Sequence, residues 1–396
     1  MRLDTVRARS ILDTRGRPTL ETTLIAGELT ATASVPSGKS TGSHEALELR
    51  DPDGSVAQAL AHVTGEIAGA LTSREFATPD ELDATLIALD GTENKSRLGA
   101  NAILSVSMAA ERLFAQATGQ PLWKAIALRA NTPSRAPRLY VNVMNGGVHA
   151  NFQLPFQEYI LVVDGKTSDA LPLAQEAFTK LGERLGAGVP MGDEGGYAPT
   201  FDTLEKPFEL LSDLVSTLPG TSIAIDAAAS ELFQGGHYQL LGKSYTADEL
   251  ATVYEQLISR FPFHSIEDPF AEDAHTDFTE LTARLGERVL IVGDDLTVTT
   301  PARIASARRA REINAVLIKP NQVGTVEEAL QAVQATFAAG WEPIASHRSG
   351  ETDDTFIADF AYGVGAHGIK AGGLGQKERL EKYERLLAIE RETETV

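Results

Sequence analysis

The 396-residue chain predicts an α/β protein: a C-terminal eight-stranded α/β barrel preceded by a smaller α+β unit. Three observations predict it. Two short apolar runs, Phe263–Ile266 and Val289–Val292, each stop at a pair of acids, Glu267–Asp268 and Asp294–Asp295, with a helix-length stretch between them. From Ser222 onward such runs recur every roughly 22 to 40 residues, the spacing that right-handed βα crossovers demand. Before residue 131 the pattern differs, with a strand meander followed by helices.

The N-terminal elements come first. Val6–Asp13, Thr19–Ala26 and Glu28–Val35 alternate or run apolar around the turn residues Gly16, Pro18 and Gly27, which predicts an antiparallel meander. Val56, Leu60, Val63 and Ile67 step at helical spacing, as do Leu98, Ala102, Val106, Ala109 and Leu113. The second of these helices stops at Gly119 with Pro121 beyond it. Asn131–Pro137 is the most linker-like stretch, and it divides the chain into units 1–130 and 138–396.

In the second unit two strands, Leu139–Met144 and Tyr159–Val163, precede any helix. Helical periodicity covers about Asp169–Leu185 and Leu204–Leu218. Strands Ser222–Ile225, Phe263–Ile266, Val289–Val292, Ala315–Ile318, Pro343–Ala345 and His367–Ile369 then alternate with helices. Eight strands predict a closed barrel with an irregular start.

Composition bounds the function. No apolar run approaches the roughly 18–20 residues that span a bilayer, and the start MRLDTVRARS has no apolar core of a secretory signal. A cytoplasmic protein is expected. The absence of cysteine excludes disulfides, thiolate metal sites and Cys nucleophiles. A net charge of −20 repels phosphate backbones and anionic lipid, so neither nucleic acid nor membrane is an expected partner. An anionic substrate would need metal ions or a local basic cluster to overcome that field. Gly38-Lys39-Ser40 echoes a phosphate-binding P-loop, but the first glycine of that motif falls on Ala33, so the motif fails.

The residues closing the last six strands are Asp226, Glu267, Asp294, Lys319, His347 and Lys370. One charged residue after a strand is ordinary. Three acids followed by three nitrogen bases, all at the barrel face where catalytic groups gather, form a pattern. Three crowded carboxylates repel unless a cation neutralises them, and oxygen-only ligation suits a hard ion such as Mg²⁺. A metal-holding carboxylate set opposite lysines suits proton abstraction beside a substrate carboxylate, the arrangement the enolase superfamily is known for.

The chain resembles the enolase family across nearly its whole length. The matching stretches are LDTRGRPTLE (12–21), SVPSGKSTGSHEALELRD (34–51), LDGTENKSRLGANAIL (89–104), NGGVHANFQLPFQEY (145–159), GDEGGYAP (192–199), SIEDPFAED (265–273), GDDLTVT (293–299), LIKPNQVGT (317–325) and SHRSGETDD (346–354). The resemblance implies a ββαα(βα)₆ barrel, two Mg²⁺ per active site, at least a homodimer, and dehydration of 2-phosphoglycerate to phosphoenolpyruvate. Asp226, Glu267 and Asp294 would bind the first Mg²⁺, and Ser40 the second together with the substrate phosphate. Lys319 would remove the C2 proton, and Glu194 would protonate the departing C3 hydroxyl. Arg348 and Ser349 would hold the phosphate, Lys370 the carboxylate, and His149, Gln157 and Glu158 would line the leaving-group side. His347 would stand with this substrate-binding set.

Departures cluster at the site entrance. Lys39 stands where the family usually has Ala, and Pro52-Asp53-Gly54 replaces a longer flexible segment. The family's Arg-Ser beyond Lys370 becomes Gln376-Lys377. These departures motivate an alternative expectation, a paralogue of the carboxyphosphonoenolpyruvate synthase type that uses a phosphonate nucleophile in place of water.

Overall fold

The computed structural model describes residues 1–39 and 42–394. Strands β1 (Thr5–Leu12), β2 (Pro18–Ala26) and β3 (Leu29–Ser34) form the expected antiparallel meander in that order. Alternate residues of β2, among them Leu20, Thr22, Leu24 and Ala26, are buried, as the two-residue period of a strand requires. They lie against the helix Ala100–Ala117, whose residues are buried almost throughout. Its small residues admit close approach, and Ser105 Oγ meets Thr22 Oγ1 at 2.7 Å.

The first predicted helix is present over 57–72 but carries a π turn at Val63–Ile67. Two helices escaped the periodicity, Pro79–Asp90 and Leu122–Ala130. In the former the buried stripe is Leu82, Asp83, Leu86 and Asp90, so half of its inward face is acidic and reads as polar. Its start is nevertheless well specified: Thr78 caps the Glu81 N–H, and Pro79 sits at the first helical position.

The barrel strands are β4 (Arg138–Asn145), β5 (Glu158–Val163) and β6 (Thr221–Asp226). After a small three-stranded sheet of β7 (Phe233–Gln234), β8 (His237–Leu240) and β9 (Lys243–Tyr245) come β10 (Phe263–Glu267), β11 (Leu290–Gly293), β12 (Ala315–Ile318), β13 (Glu342–Ser346) and β14 (Gly368–Gly372). They close in the order β10-β11-β12-β13-β14-β4-β5-β6. β5 is antiparallel to both neighbours and every other pairing is parallel. That is the irregular start. β4 and β5 are joined without a full crossover helix, so the chain returns antiparallel. The small sheet was not expected, because its strands are short and are broken by Gly235-Gly236 and Gly242.

Asp226 and Glu267 end their strands, while Asp294, Lys319 and His347 follow theirs directly. Lys370 is a correction: it lies inside β14, which continues pairing with β4 as far as Gly372. Alternate residues Tyr140, Ile160, Val162, Ala224, Val292, Ala315, Leu317 and Ile344 form a separate core that fills the barrel. The mouth is thereby left as a shallow, closed-floored basin. The N-terminal helices are tied to the barrel by ion pairs, Arg112 with Asp354 at 2.6 Å and Arg129 with Glu327 at 2.9 Å.

Asp83 lies under this tie, accepting the Glu327 N–H at 3.1 Å. Burial pushes its carboxyl from 3.8 up to about 7, against the pull of Ser107 and Arg129. Between those values the folded chain holds a proton that the unfolded chain releases, so stability falls as pH rises from about 4 to about 7. Asp83→Asn keeps the acceptor and removes the titration. Its unfolding free energy, read by denaturant titration, should exceed the parent's at pH 8 by up to a few kcal/mol, at ~1.4 kcal/mol per pKa unit, and the gap should close toward pH 4. A gap that is constant with pH would contradict the buried proton.

Candidate active site

The mouth is organised by strand register. Glu158 on β5 pairs with Asp226 on β6, which pairs in turn with Glu267 on β10, so three carboxylates stand side by side at one level. Lys370 reaches them from across the mouth. Its Nζ lies 3.0 Å from Glu158, 3.0 Å from Asp226 and 2.9 Å from both oxygens of Glu267. Only 2% of Lys370 is exposed. Burial alone would favour loss of its proton, but Asp226, Glu158 and Glu267 outweigh it and raise the ammonium well above its ordinary range. Asp226 is further held by Gln157 Nε2 at 3.3 Å and by the Ala228 N–H at 2.9 Å.

One strand further on, Asp294 makes a short ion pair with Lys319 and accepts from Gln322 Nε2 at 2.9 Å. Burial would raise Asp294, but the Lys319 ammonium beside it holds it below the usual range. Asp268 sets the turn: its two oxygens accept the N–H groups of Asp294 and Asp295 at 2.9 and 2.8 Å. It does so from a left-handed backbone conformation, φ 41°, which is rare for a non-glycine residue. Lys319 is pulled two ways. Burial, Arg348 and Lys370 disfavour its charge, while Asp294 and Glu267 favour it, and the net shift is upward.

Four places around the ring from β12, and therefore across the mouth from Lys319, stands β5. Glu194, from the loop that packs on β4, accepts from Asn142 Nδ2 at 3.1 Å. His149 Nδ1 lies 3.2 Å from Glu194 Oε1, but without hydrogen-bond geometry, so both imidazole nitrogens are buried and unpartnered. Glu158 and Glu194 titrate as a pair. Burial and the neighbouring Glu194 charge push Glu158 well up; His149, His347 and Arg379 outweigh burial at Glu194 and hold it down.

The loop after β13 supplies Arg348, whose guanidinium bonds Glu45 at 2.8 and 3.2 Å and Asn321 at 3.1 Å. Ser349 Oγ accepts the Lys39 N–H at 2.7 Å and Arg15 Nη1 at 3.2 Å. Lys39 crosses to the opposite rim, where its Nζ bonds Val148 O at 2.8 Å and Asp193 at 2.7 Å.

Together these groups line a cleft of about 440 Å³. Of the expected residues, His149, Gln157, Glu158, Glu194, Asp226, Asp294, Lys319, His347, Arg348, Ser349 and Lys370 all line it. Glu267 stands behind, bonded to Lys370, and Ser40 lies outside the described residues. Sequence reasoning missed Gln322, Glu45, Asn142, Arg15 and Arg379. Each is polar and remote in sequence from the residue it orients, so no local pattern marks it.

A hard cation fits this donor set. The acids outnumber the cations, and their burial and crowding disfavour the ionised forms. Burial, reinforced by Asp226, raises Glu267 well above its ordinary value, and burial with Asp294 raises Asp295 to about 8. Among the described residues, ligand atoms come within 4.8 Å of one another in His149–Glu158–Glu194 and in Asp268–Asp294–Asp295. The expected set Asp226, Glu267 and Asp294 is not drawn together in this way, because Lys370 takes the first two and Lys319 the third.

Comparison with known proteins bears on this site. Residues 135–395 match the family model described as the enolase C-terminal TIM barrel domain, and residues 3–126 match the enolase N-terminal domain. The chain is 42% identical over 409 residues to a protein named enolase from Methanopyrus kandleri, covering 98% of this chain and 95% of that one. It is 42% identical over 406 residues to an enolase from Acidothermus cellulolyticus, covering 98% and 94%.

Gly38 provides a test of the Arg348 pocket. A Cβ there would lie 2.0 Å from Arg348 Nη2, and Arg348 is pinned by Glu45 and Asn321. Gly38→Ala should displace the guanidinium and weaken binding of inorganic phosphate, read by calorimetry, by roughly 10-fold, the loss of about 1.4 kcal/mol. Unchanged phosphate affinity would show that Arg348 does not face the anion.

Proposed function

The chain belongs to the enolase family, and from that premise we propose that it dehydrates 2-phosphoglycerate to phosphoenolpyruvate. The observation that carries the reading is the cleft itself, where Lys319 stands across the ring from Glu158 and Glu194, with Asp226, Asp294, Arg348 and Lys370 between them. A base on one face and an acid on the other are what removal of a C2 proton and a C3 hydroxyl requires.

In this reading Asp226, Glu267 and Asp294 hold one Mg²⁺, and Ser40 helps hold a second. When bound, the metal pair supplies Lewis-acid charge that stabilises negative charge developing on the substrate carboxylate. Lys319 takes the C2 proton; burial, Arg348 and Lys370 oppose its charge, and it is Asp294 and Glu267 beside it that hold its net shift upward here. Lys370 orients the carboxylate, Arg348 and Ser349 the phosphate. Glu194 delivers a proton to the departing hydroxyl, with Glu158 buried beside it. His149 Nδ1 and Nε2, Gln157 Oε1 and Glu158 Oε2 are buried without partners, and they suit a ligand hydroxyl on that side. We further propose that the protein is cytoplasmic and homodimeric, and that each chain divides at residues 131–137 into units 1–130 and 138–396.

No observation favours the phosphonate alternative. Lys39 is engaged by Asp193 and Val148, and Lys377 is exposed and paired with Glu381 at 3.1 Å. Purified protein with Mg²⁺ should form phosphoenolpyruvate from 2-phosphoglycerate, followed in the ultraviolet, without phosphonoformate. Turnover appearing only with phosphonoformate would overturn the reading, and chelation should abolish turnover in either case.

Two variants separate the steps. Lys319→Ala should lose C2 proton exchange by roughly 10²–10⁴-fold, the ordinary worth of a positioned base. Glu194→Gln should retain exchange while losing dehydration to a similar degree. Equal loss of both steps in Glu194→Gln would refute its assignment as the acid.

A further inference from the structure

Arg379, on the helix Lys377–Glu394, is the largest fully buried side chain of the protein, 0% exposed, and it does not line the cleft. Its Nη donors are nevertheless directed at the two loops that do. Nη1 bonds His347 Nδ1 and lies 3.3 Å from Arg348 O; Nη2 donates to Ser349 O at 2.9 Å and to Asp193 O at 3.3 Å. Gly372 makes room for it, since a Cβ there would lie 2.4 Å from Arg379 Cδ. Nε donates to Gln376 Oε1 at 2.6 Å, and Gln376 Nε2 donates in turn to Asp193 O at 3.1 Å.

A guanidinium only donates hydrogen bonds and does not deprotonate in proteins. The His347 atom facing Nη1 must therefore be an acceptor nitrogen, and a flipped ring would set a C–H against a buried charge. A neutral imidazole with an accepting Nδ1 carries its proton on Nε2. The charged groups around His347 are Glu194 from the loop at 192–196, Lys370 from β14, Lys319 after β12, and Arg379. Burial lowers His347, Glu194 opposes, and the three cations add to burial, so the ring stays well below its ordinary value.

We propose that Arg379 is a positioning residue that locks His347 as the neutral Nε2–H tautomer, a fixed hydrogen-bond donor in the cleft rather than a proton shuttle. Gln376 holds Arg379 in place. The arginine usual in the family at that position could not accept from Arg379 Nε, so this chain secures its buried guanidinium in its own way. The inference rests on the proposed function only in taking His347 to serve that reaction.

The test is nitrogen NMR of the full chain labelled at histidine, with the His347 signals assigned by their loss in His347→Gln. Wild type should show a protonated Nε2 and a bare Nδ1, unchanged from about pH 5.5 to about pH 9. Arg379→Met should release the lock, so that a protonated Nδ1 becomes populated, while burial still opposes the charged ring. It should also lower kcat by about 10- to 100-fold, the range for removing a partner that orients a site residue, with KM little changed. Gln376→Leu, which leaves the guanidinium in place, should shift both readouts in the same direction by less.

A protonated Nδ1 in wild type, or titration of the wild-type ring within that window, would overturn the proposal whether or not Arg379→Met folds. An unchanged His347 spectrum in a folded Arg379→Met would also overturn it. Absence of turnover on 2-phosphoglycerate would instead count against the function and leave the tautomer reading standing.

Discussion

The interaction on which the site depends is the Lys370 ammonium among Glu158, Asp226 and Glu267. β6 and β10 end, and antiparallel β5 begins, in carboxylates at one level, and like charges so close in a dry site cannot all stay ionised without a cation. Lys370 supplies one from the far side of the ring. Removing it would leave three buried carboxylates unpaired, a situation far costlier than the loss of one surface ion pair. The barrel's interior plug of apolar side chains makes the arrangement possible, because it closes the floor and keeps these charges at the rim.

The remaining electrostatics follow from that shortage of positive charge. Lys319 and Lys370 each hold acids of the ring, and burial with mutual repulsion pushes Glu158, Glu267, Asp268 and Asp295 upward. The mouth is therefore a set of carboxylates with two ammoniums standing where cations belong, inside a chain whose net charge is −20. A polyanionic substrate enters such a basin only with cations of its own, which is the physical sense of a metal-dependent site here.

The rim is built from loops remote in sequence and fastened to one another as well as to the barrel. Lys39 ties its own loop to the segments at 148 and 193, and Arg15 and Lys39 meet at Ser349. Arg379 gathers the loops at 193 and 347–349 from beneath. Two of the departures from the family pattern are thus working parts of the rim: Lys39 spans the cleft, and Gln376 accepts from Arg379 and bonds Asp193. Pro52-Asp53-Gly54 forms a plain turn, with Gly54 N–H bonded to Asp51 O.

Much was determined by the sequence alone. The two-residue period of β1 to β3, the recurrent apolar runs of the barrel and the acids and bases closing them follow from local patterning, which backbone geometry translates directly into strands with a shared face. The Pro79–Asp90 helix was hidden because buried Asp83 and Asp90 interrupt its apolar stripe, and the small sheet because its strands are two to four residues long. Only the tertiary structure decided that Glu158 stands level with Asp226 and Glu267, since one antiparallel register sets it, and that Lys370 lies inside its strand. It alone decided that Gln322, Glu45 and Arg379 orient Asp294, Arg348 and His347. Hydrogen-bond partners some 30 to 300 residues apart are chosen by how closed strands and packed helices meet, and no periodicity along the chain records that choice.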